Sequence, residues 1–365
     1  MPHLELKDVT KAFKSNTVLN GVSLIADAGE IVVVFGPSGT GKTVLLRLIA
    51  GVEEPTSGTI AIDGHDMGDV APEHRGVGMA FQNFALFPHL SAFENIASPL
   101  RARNLSNDAI KTEVGKVAKL LKIEHVLGHM PRELSNGQKQ RTALARALVS
   151  SPKLLLLDDP LRNVDAKLRF EMRLELPRLL RAAKSTVLYV TQDYKEAMAL
   201  ADRIAVLSGG KFVQVATPSD IYRNPASLAV ARLFGDPAIN LAESDVTVDG
   251  SAVSVALAGE RVRIDRGYKA LAGRAVTFGV RPEAVDVLNG KGTGLKATVQ
   301  AVTPLNERTV LLLRTEPGWE CLASLPSSSS SIPRAESEVR ITFNPEGTYL
   351  FDRATGERLM AGGDA

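Results

Sequence analysis

Gly36-Pro37-Ser38-Gly39-Thr40-Gly41-Lys42-Thr43 follows the spacing G-x-x-x-x-G-K-[ST] in full. These residue types in this order can cradle phosphate. The glycines let the backbone curl until successive N–H groups point at phosphate oxygens. A helix starting behind them offers its positive end. Lys42 would reach β- and γ-phosphates, and the Thr43 hydroxyl would face Mg²⁺. A second element must hold the metal. Leu154-Leu155-Leu156-Leu157-Asp158 reads as a buried strand ending in a carboxylate, and Asp158 would hold Mg²⁺ through its water shell. A strand ending in aspartate is ordinary by itself, whereas the loop matches its motif in full and in the right strand-to-helix context. Together they imply a chain that binds a nucleoside triphosphate with Mg²⁺.

The elements around these motifs suit that chemistry. Ile31–Phe35 is a short β-branched run before the loop, of the kind buried on both faces of a sheet. The runs 154–157 and 186–190 are similar. Helical spacing follows the loop at Val44, Leu45, Leu48 and Ile49, and recurs over 109–121 at Ile110, Val114, Val117, Leu120 and Leu121. This alternation predicts an α/β fold with a largely parallel sheet covered by helices. After about Phe234 the composition shifts to Gly, Thr and Val. Short β-like runs recur at 245–248, 252–257, 275–280, 295–302, 309–313 and 339–343, separated by turn residues such as Asp249-Gly250 and Asn289-Gly290. A small all-β domain of the oligonucleotide/oligosaccharide-binding (OB) barrel kind is expected there. The serine-rich stretch 326–333 reads as a loop.

Composition narrows the class. The chain has 365 residues, with 44% hydrophobic and 23% charged, which suits a folded protein of two or three domains. Lys plus Arg number 43 and Asp plus Glu 41, a formal charge of +2, which gives no electrostatic reason to expect a nucleic-acid partner. Cys321 is the single cysteine, so an intrachain disulfide is impossible, and a reducing compartment fits. Glu5, Lys7 and Asp8 argue against a signal peptide at the start. No apolar run approaches the roughly 20 residues that span a bilayer, so a membrane role is expected to come through partners.

Between the two phosphate-site motifs lies Leu134-Ser135-Asn136-Gly137-Gln138, which resembles the LSGGQ signature of ATP-binding-cassette (ABC) ATPases. It sits where a helix should begin, so a hydroxyl and free amides can face phosphate. Phe81-Gln82-Asn83 resembles the Q-loop of that family, which implies that Gln82 senses Mg²⁺ and the attacking water. Phe13 resembles the aromatic that stacks on adenine, though an aromatic there also suits the core. Arg162-Asn163-Val164-Asp165 resembles the D-loop, where Asp165 would cross a dimer interface; a helix cap is the plainer reading.

The run 81–90 with Glu94-Asn95-Ile96 is similar to the ATPases of carbohydrate importers, the maltose, glycerol-phosphate and polyol group. So are Ile221-Tyr222-Arg223-Asn224-Pro225, Gly279-Val280-Arg281-Pro282-Glu283 and the segment 351–357. The resemblance runs over nearly the whole chain. It implies a nucleotide-binding domain over 1–235, with a helical subdomain at about 88–150, and a C-terminal OB-like regulatory domain over 236–365. It implies two cassettes that sandwich two ATPs. Each site would join the phosphate loop of one chain, 36–43, to Ser135, Gly137 and Gln138 of the other. It further implies a peripheral place on the cytoplasmic face of the inner membrane, with two transmembrane permease subunits and, indirectly, an extracytoplasmic substrate-binding protein. A groove near Gln82 would receive a short permease helix. Leu86, Phe87 and Leu90 lie where it would touch, or in the core.

Three positions depart from the family pattern. Asp159 stands where the glutamate general base is usual, Gln192 where a histidine is usual, and Asn136 where the signature has its second glycine. Losing a methylene withdraws the carboxylate by about 1.5 Å, and misplacements of about 1 Å cost about a hundredfold in rate. Gln192 can hydrogen-bond a γ-phosphate but holds no titratable proton. Both changes fall on the nucleotide held by this chain's own Lys42, while Ser135 and Gly137 are kept. The economical expectation is a heterodimer in which a second ABC chain brings the proper base and histidine. A slow homodimer and a nonhydrolytic ATP-binding regulatory subunit are the alternatives. A soluble cassette acting on ribosomes or DNA is disfavoured, since those carry tandem cassettes or long coiled-coil insertions. The cargo is not encoded here; a carbohydrate or a polyol such as glycerol is the family-level expectation.

Overall fold

In the computed structural model, which describes residues 3–362 apart from 163, 290–292, 317 and 330, Ile31–Phe35 is a strand with every residue buried. It lies inside a six-stranded sheet of order Lys211–Ala216, Arg203–Ser208, Ile31–Phe35, Thr186–Thr191, Leu154–Asp158, Val77–Ala80. All neighbours are parallel except the first pair. The three central strands are buried at every position and largely apolar, as in a sheet with neither face left to water. Helix Lys42–Ala50 starts directly behind the glycine-rich loop and packs its Leu45, Leu46, Leu48 and Ile49 into the core.

Sequence patterning did not anticipate a second sheet. Asn16–Ala26, Leu4–Phe13, Ser57–Ile62 and His65–Asp66 form a four-stranded antiparallel sheet. Its buried residues, among them Leu4, Leu6, Leu24 and Ile60, join one core with the helix and the parallel sheet.

Three helices lie within the expected helical subdomain, Ala92–Ala102, Asn107–Leu120 and Asn136–Leu148. Each begins at a serine whose hydroxyl accepts a helix amide: Ser91, Ser106 and Ser135. Asn95, fully buried, explains its place in the motif. Its side-chain amide donates to the carbonyls of Phe87, Leu90 and Ser91 and its oxygen accepts from the Phe87 amide, which pins the preceding loop to the helix.

The chain divides into compact units 1–218 and 219–365. The second unit starts earlier than the boundary expected after 235. The reason is Arg281, fully buried, whose guanidinium donates to the carbonyls of Tyr222, Ala231 and Phe234 and ties the short helices Pro218–Arg223 and Leu228–Leu233 to the β strands. The strands that follow form two antiparallel sheets. One has the order Glu260–Arg263, Ala252–Leu257, Asn240–Asp249, Ala275–Val280, Thr348–Asp352, Arg358–Leu359; the other Val285–Asn289, Glu338–Phe343, Leu295–Pro304, Arg308–Thr315, Glu320–Pro326. They share one core around Phe278, Val299, Leu311 and Ile341. The all-β expectation therefore holds. Cys321 lies in that core, and burial pushes its thiol up to about 12. The expected loop of serines begins where Glu320–Pro326 ends, with Ser330 outside the described residues, as are Gly290 of the expected turn and Asn163.

Candidate functional site

The phosphate loop owes its path to its glycines. Gly39 and Gly41 have φ of 82° and 97°, a region side chains disfavour. At Gly36 a Cβ would come within 2.4 Å of the Leu207 carbonyl oxygen, so no other residue fits against that strand. Thr40 Oγ1 donates to the Pro37 carbonyl at 3.0 Å and tightens the turn. Lys42 lies along the loop, its Nζ donating to the carbonyls of Gly36 and Pro37 at 2.8 and 2.6 Å. Burial lowers its pKa, and the carboxylates of Asp159 and Asp158 oppose that shift.

A cleft of about 280 Å³ opens over this loop. Ser38, Gly39, Gly41, Lys42, Thr43, Gln82, Asp158, Asp159 and Gln192 line it, together with Val18, Val44, Arg162 and Val190. Residues from five separate stretches of sequence thus meet at one place, at the C-terminal ends of parallel strands, where open α/β sheets bind ligands. The Thr43 hydroxyl donates to Asp158 Oδ1 at 3.0 Å. That places a hydroxyl, a carboxylate and the Gln82 amide along one cleft beside the loop, a donor set that suits Mg²⁺, which keeps waters and phosphate oxygens in its shell. The loop amides and Lys42 fit a polyphosphate equally well.

Asp158 and Asp159 are both buried, 4% and 7% exposed, and burial raises the pKa of each. Hydrogen bonding opposes the shift, from Thr43 at Asp158 and from Gln192 at Asp159. Asp159 adopts φ of 44°, and its amide donates to the Val190 carbonyl at 2.9 Å. Its Oδ2 accepts from Gln192 Nε2 at 3.2 Å and lies 3.8 Å from Arg162 Nη1.

The remaining expected residues do not line this cleft. Phe13 is at the end of its strand, 44% exposed, with Lys11 Nζ 4.9 Å from its ring centroid; it is not core. Ser135 and Gln138 form a reciprocal cap, the Gln138 amide donating to Ser135 Oγ and the Ser135 amide to Gln138 Oε1. Gly137 is buried behind them, and Asn136 occupies the first helical position, exposed, without disturbing the helix start. Asp165 is exposed just before helix Ala166–Ala183, where its carbonyl accepts from the Arg169 amide at 2.9 Å.

A separate groove lies beyond Gln82. It is lined by Phe81, Ala85, Phe87, Pro99 and Arg146 among others, with a volume of about 850 Å³. Phe84 and Ala85 hold φ of 62° and 45° there, and the Arg146 guanidinium donates to both their carbonyls. Phe87 is 44% exposed, while Leu86 and Leu90 are half-buried.

Sequence reasoning missed two features. Arg162 was read only as part of a loop, yet it faces Asp159. Glu196 is 1% exposed and accepts from Tyr189 Oη and Thr191 Oγ1 at 2.8 and 2.9 Å. Thr191 Oγ1 in turn accepts from the Asp193 amide, so this network brackets Gln192. The signal was the i+5 spacing from a strand-end threonine onto the next helix, which has no common motif.

Comparison with known proteins agrees with this geometry. Residues 19–162 match the family model described as ABC transporter, and 278–351 match the TOBE domain. The sn-glycerol-3-phosphate import ATP-binding protein UgpC of Cereibacter sphaeroides is 40% identical over 359 residues, covering 98% of this chain and 100% of that protein. The alpha-glucoside transport ATP-binding protein AglK of Rhizobium meliloti is 40% identical over 359 residues, covering 96% and 98%. Among solved structures, the dimeric post-hydrolysis state of the ATP-binding cassette MJ0796 bound to ADP and Pi matches with TM-score 0.54 and 32% identity, over 59% of this chain and 98% of that one. The chain therefore belongs to the ABC transporter family, among the import ATP-binding proteins that carry a C-terminal TOBE domain.

Proposed function

We propose that this chain is the ATP-binding subunit of an importer and couples ATP binding and hydrolysis to uptake of a carbohydrate or polyol, with glycerol or its phosphate a candidate cargo. The observation that carries the reading is the cleft where the glycine-rich loop, Lys42, Thr43 and Asp158 converge. Loop amides and Lys42 hold the phosphates. Thr43, Asp158 and Gln82 hold Mg²⁺, which when bound neutralises charge on phosphate oxygens. Phe13 offers an exposed ring to the adenine. Two permease subunits engage the groove at Phe87 and Arg146, on the cytoplasmic face of the membrane, and a substrate-binding protein takes part indirectly. Among the described residues no helix is long and apolar enough to cross a membrane.

The same reading makes this chain the weaker half of a heterodimer. Asp159 is the residue placed to activate water, but Gln192 and Arg162 both engage its Oδ2. A carboxylate so engaged and short of the usual reach is a poor general base. Ser135 heads a well-capped helix and is free of such defects, so it completes the partner's site, with Asp165 at the interface. A homodimer that hydrolyses slowly, or a subunit that binds ATP without turning it over, is the reading favoured if no second ABC chain accompanies this one. Purification of the native complex from membranes, with identification of every subunit, tests both. Two permeases and a second ABC chain are expected; a complex lacking permeases refutes the importer assignment.

A further inference from the structure

The turn that follows Asp159 carries a guanidinium into the nucleotide cleft. Its backbone is firmly held. Leu161 is fully buried, and the Arg162 amide donates to the Asp159 carbonyl at 3.2 Å. From the next helix the Arg169 guanidinium donates to the carbonyls of Leu161, Arg162 and Val164 at 3.3, 3.3 and 2.9 Å. The Arg162 side chain is held far less. It is 46% exposed, and among the described residues its guanidinium makes no hydrogen bond; Nη1 only approaches Asp159 Oδ2, at 3.8 Å.

Charge gives this arginine a role. Lys42 and Arg162 are the cations in the lining of the cleft, set against Asp158 and Asp159. A triphosphate with Mg²⁺ is net negative, so its entry calls on both cations. Lys42 lies along the loop, where the phosphates are cradled. If the cleft holds ATP, Asp159 and Gln192 face its last phosphate, and Arg162, beside Asp159, stands at that same end. A half-exposed ion pair without a hydrogen bond contributes little, so Asp159 does not use up this cation. The guanidinium carries several N–H donors on a planar fork. One edge can stay beside Asp159 while another takes phosphate oxygens in charge-assisted bonds.

We infer that Arg162 binds the terminal phosphate and makes this cleft select a nucleoside triphosphate over the diphosphate. The inference rests on the assignment of the cleft to ATP with Mg²⁺, and it adds a residue that the glycine-rich motif does not contain. Such a cleft keeps ATP in preference to ADP even though Asp159 activates water poorly.

Titration calorimetry on the full-length chain with Mg²⁺ tests it. The ligands are ADP and the β,γ-imido analogue of ATP, which resists hydrolysis. The unaltered chain is expected to bind both. Arg162→Ala is expected to weaken the triphosphate analogue by about tenfold or more and ADP by less than about twofold. Retained ADP binding also shows that the variant is folded. Arg162→Lys keeps a point charge but loses the fork, and its affinity for the analogue should fall between the other two. Should Arg162→Ala not fold, Arg162→Gln, uncharged and closer in length, carries the same expectation. An unchanged ratio of the two affinities in the folded variant overturns this role and leaves the ATP assignment standing. Equal weakening of both ligands overturns it too, because the last phosphate is then not what Arg162 reads. Binding of neither ligand by the unaltered chain refutes the ATP assignment and this inference together.

Discussion

The side-chain amide of Gln192 donates to the carboxylate of Asp159 at 3.2 Å, although the two lie far apart in sequence. The fold makes them neighbours. Asp158 pairs with Val190 in adjacent parallel strands, so the residues just beyond each strand end meet over the phosphate loop. The Asp159 amide bond to the Val190 carbonyl fixes the spacing. Two of the three positions that depart from the family pattern, Asp159 and Gln192, are therefore in direct contact in the cleft over the phosphate loop.

Restoring the usual pair should restore catalysis. The purified chain is expected to bind ATP with Mg²⁺ through Lys42 and Thr43 but to hydrolyse it very slowly. Asp159→Glu together with Gln192→His should raise steady-state turnover by about two to four decades, the usual worth of a placed general base. Brisk hydrolysis by the unaltered homodimer would show that Asp159 reaches the water after all.

Glu196 predicts a pH dependence of stability. Burial raises its pKa from the ordinary 4.5 to about 7, against the hydrogen bonds from Tyr189 and Thr191. A folded-state pKa above the unfolded one means that folding takes up a proton. The contribution is fully present below 4.5 and is lost as pH rises to about 7. Its ceiling is on the order of 3 kcal/mol. Urea unfolding of the wild type should therefore show a steeper stability loss over that window than Glu196→Gln, whose amide does not titrate. Parallel pH profiles for the two proteins would refute the assignment.

Much of the site was legible because its chemistry is local in sequence. The loop 36–43 is eight consecutive residues, and strand Leu154–Asp158 announces itself by four leucines. The central strands were legible for the same reason, carrying consecutive apolar runs such as 31–35 and 187–190. The first antiparallel sheet was not, because Leu4–Phe13 and Asn16–Ala26 are interrupted by register shifts that break the alternation. Nor was the Gln192–Asp159 bond, which depends on strand order. The expected boundary after 235 followed composition, whereas the packing follows Arg281, a contact that no composition shift reports.

That packing bears on how the chain can be divided. A fragment ending at Pro218 is expected to keep ATP affinity, since every residue lining the nucleotide cleft precedes it. Arg281→Ala in the full chain leaves three backbone carbonyls without their buried donor. Each such group costs about 1–3 kcal/mol, so denaturant unfolding should show the second unit weakened by about 3 kcal/mol or more. ATP affinity should be unchanged. Loss of nucleotide binding in a folded fragment would mean that the second unit contributes to that site.

The heterodimer reading makes an asymmetric prediction. If a second ABC chain supplies the competent phosphate loop, base and histidine, this chain's contribution to turnover is Ser135 in trans. Its hydroxyl heads helix Asn136–Leu148 in a cap with Gln138, so the docking end of the helix is well ordered. Ser135→Arg puts bulk where a γ-phosphate would sit and should abolish most ATP turnover and transport by the full complex. Asp159→Asn should matter little there, because Gln192 and Arg162 already engage the carboxylate and the water it faces is rarely activated. In a homodimer both substitutions strike both sites, and Asp159→Asn should cost about two to four decades as a lost general base. ATPase assays of the reconstituted complex carrying each substitution separate the cases. Equal damage from the two would exclude the heterodimer and leave a slow, symmetric ATPase.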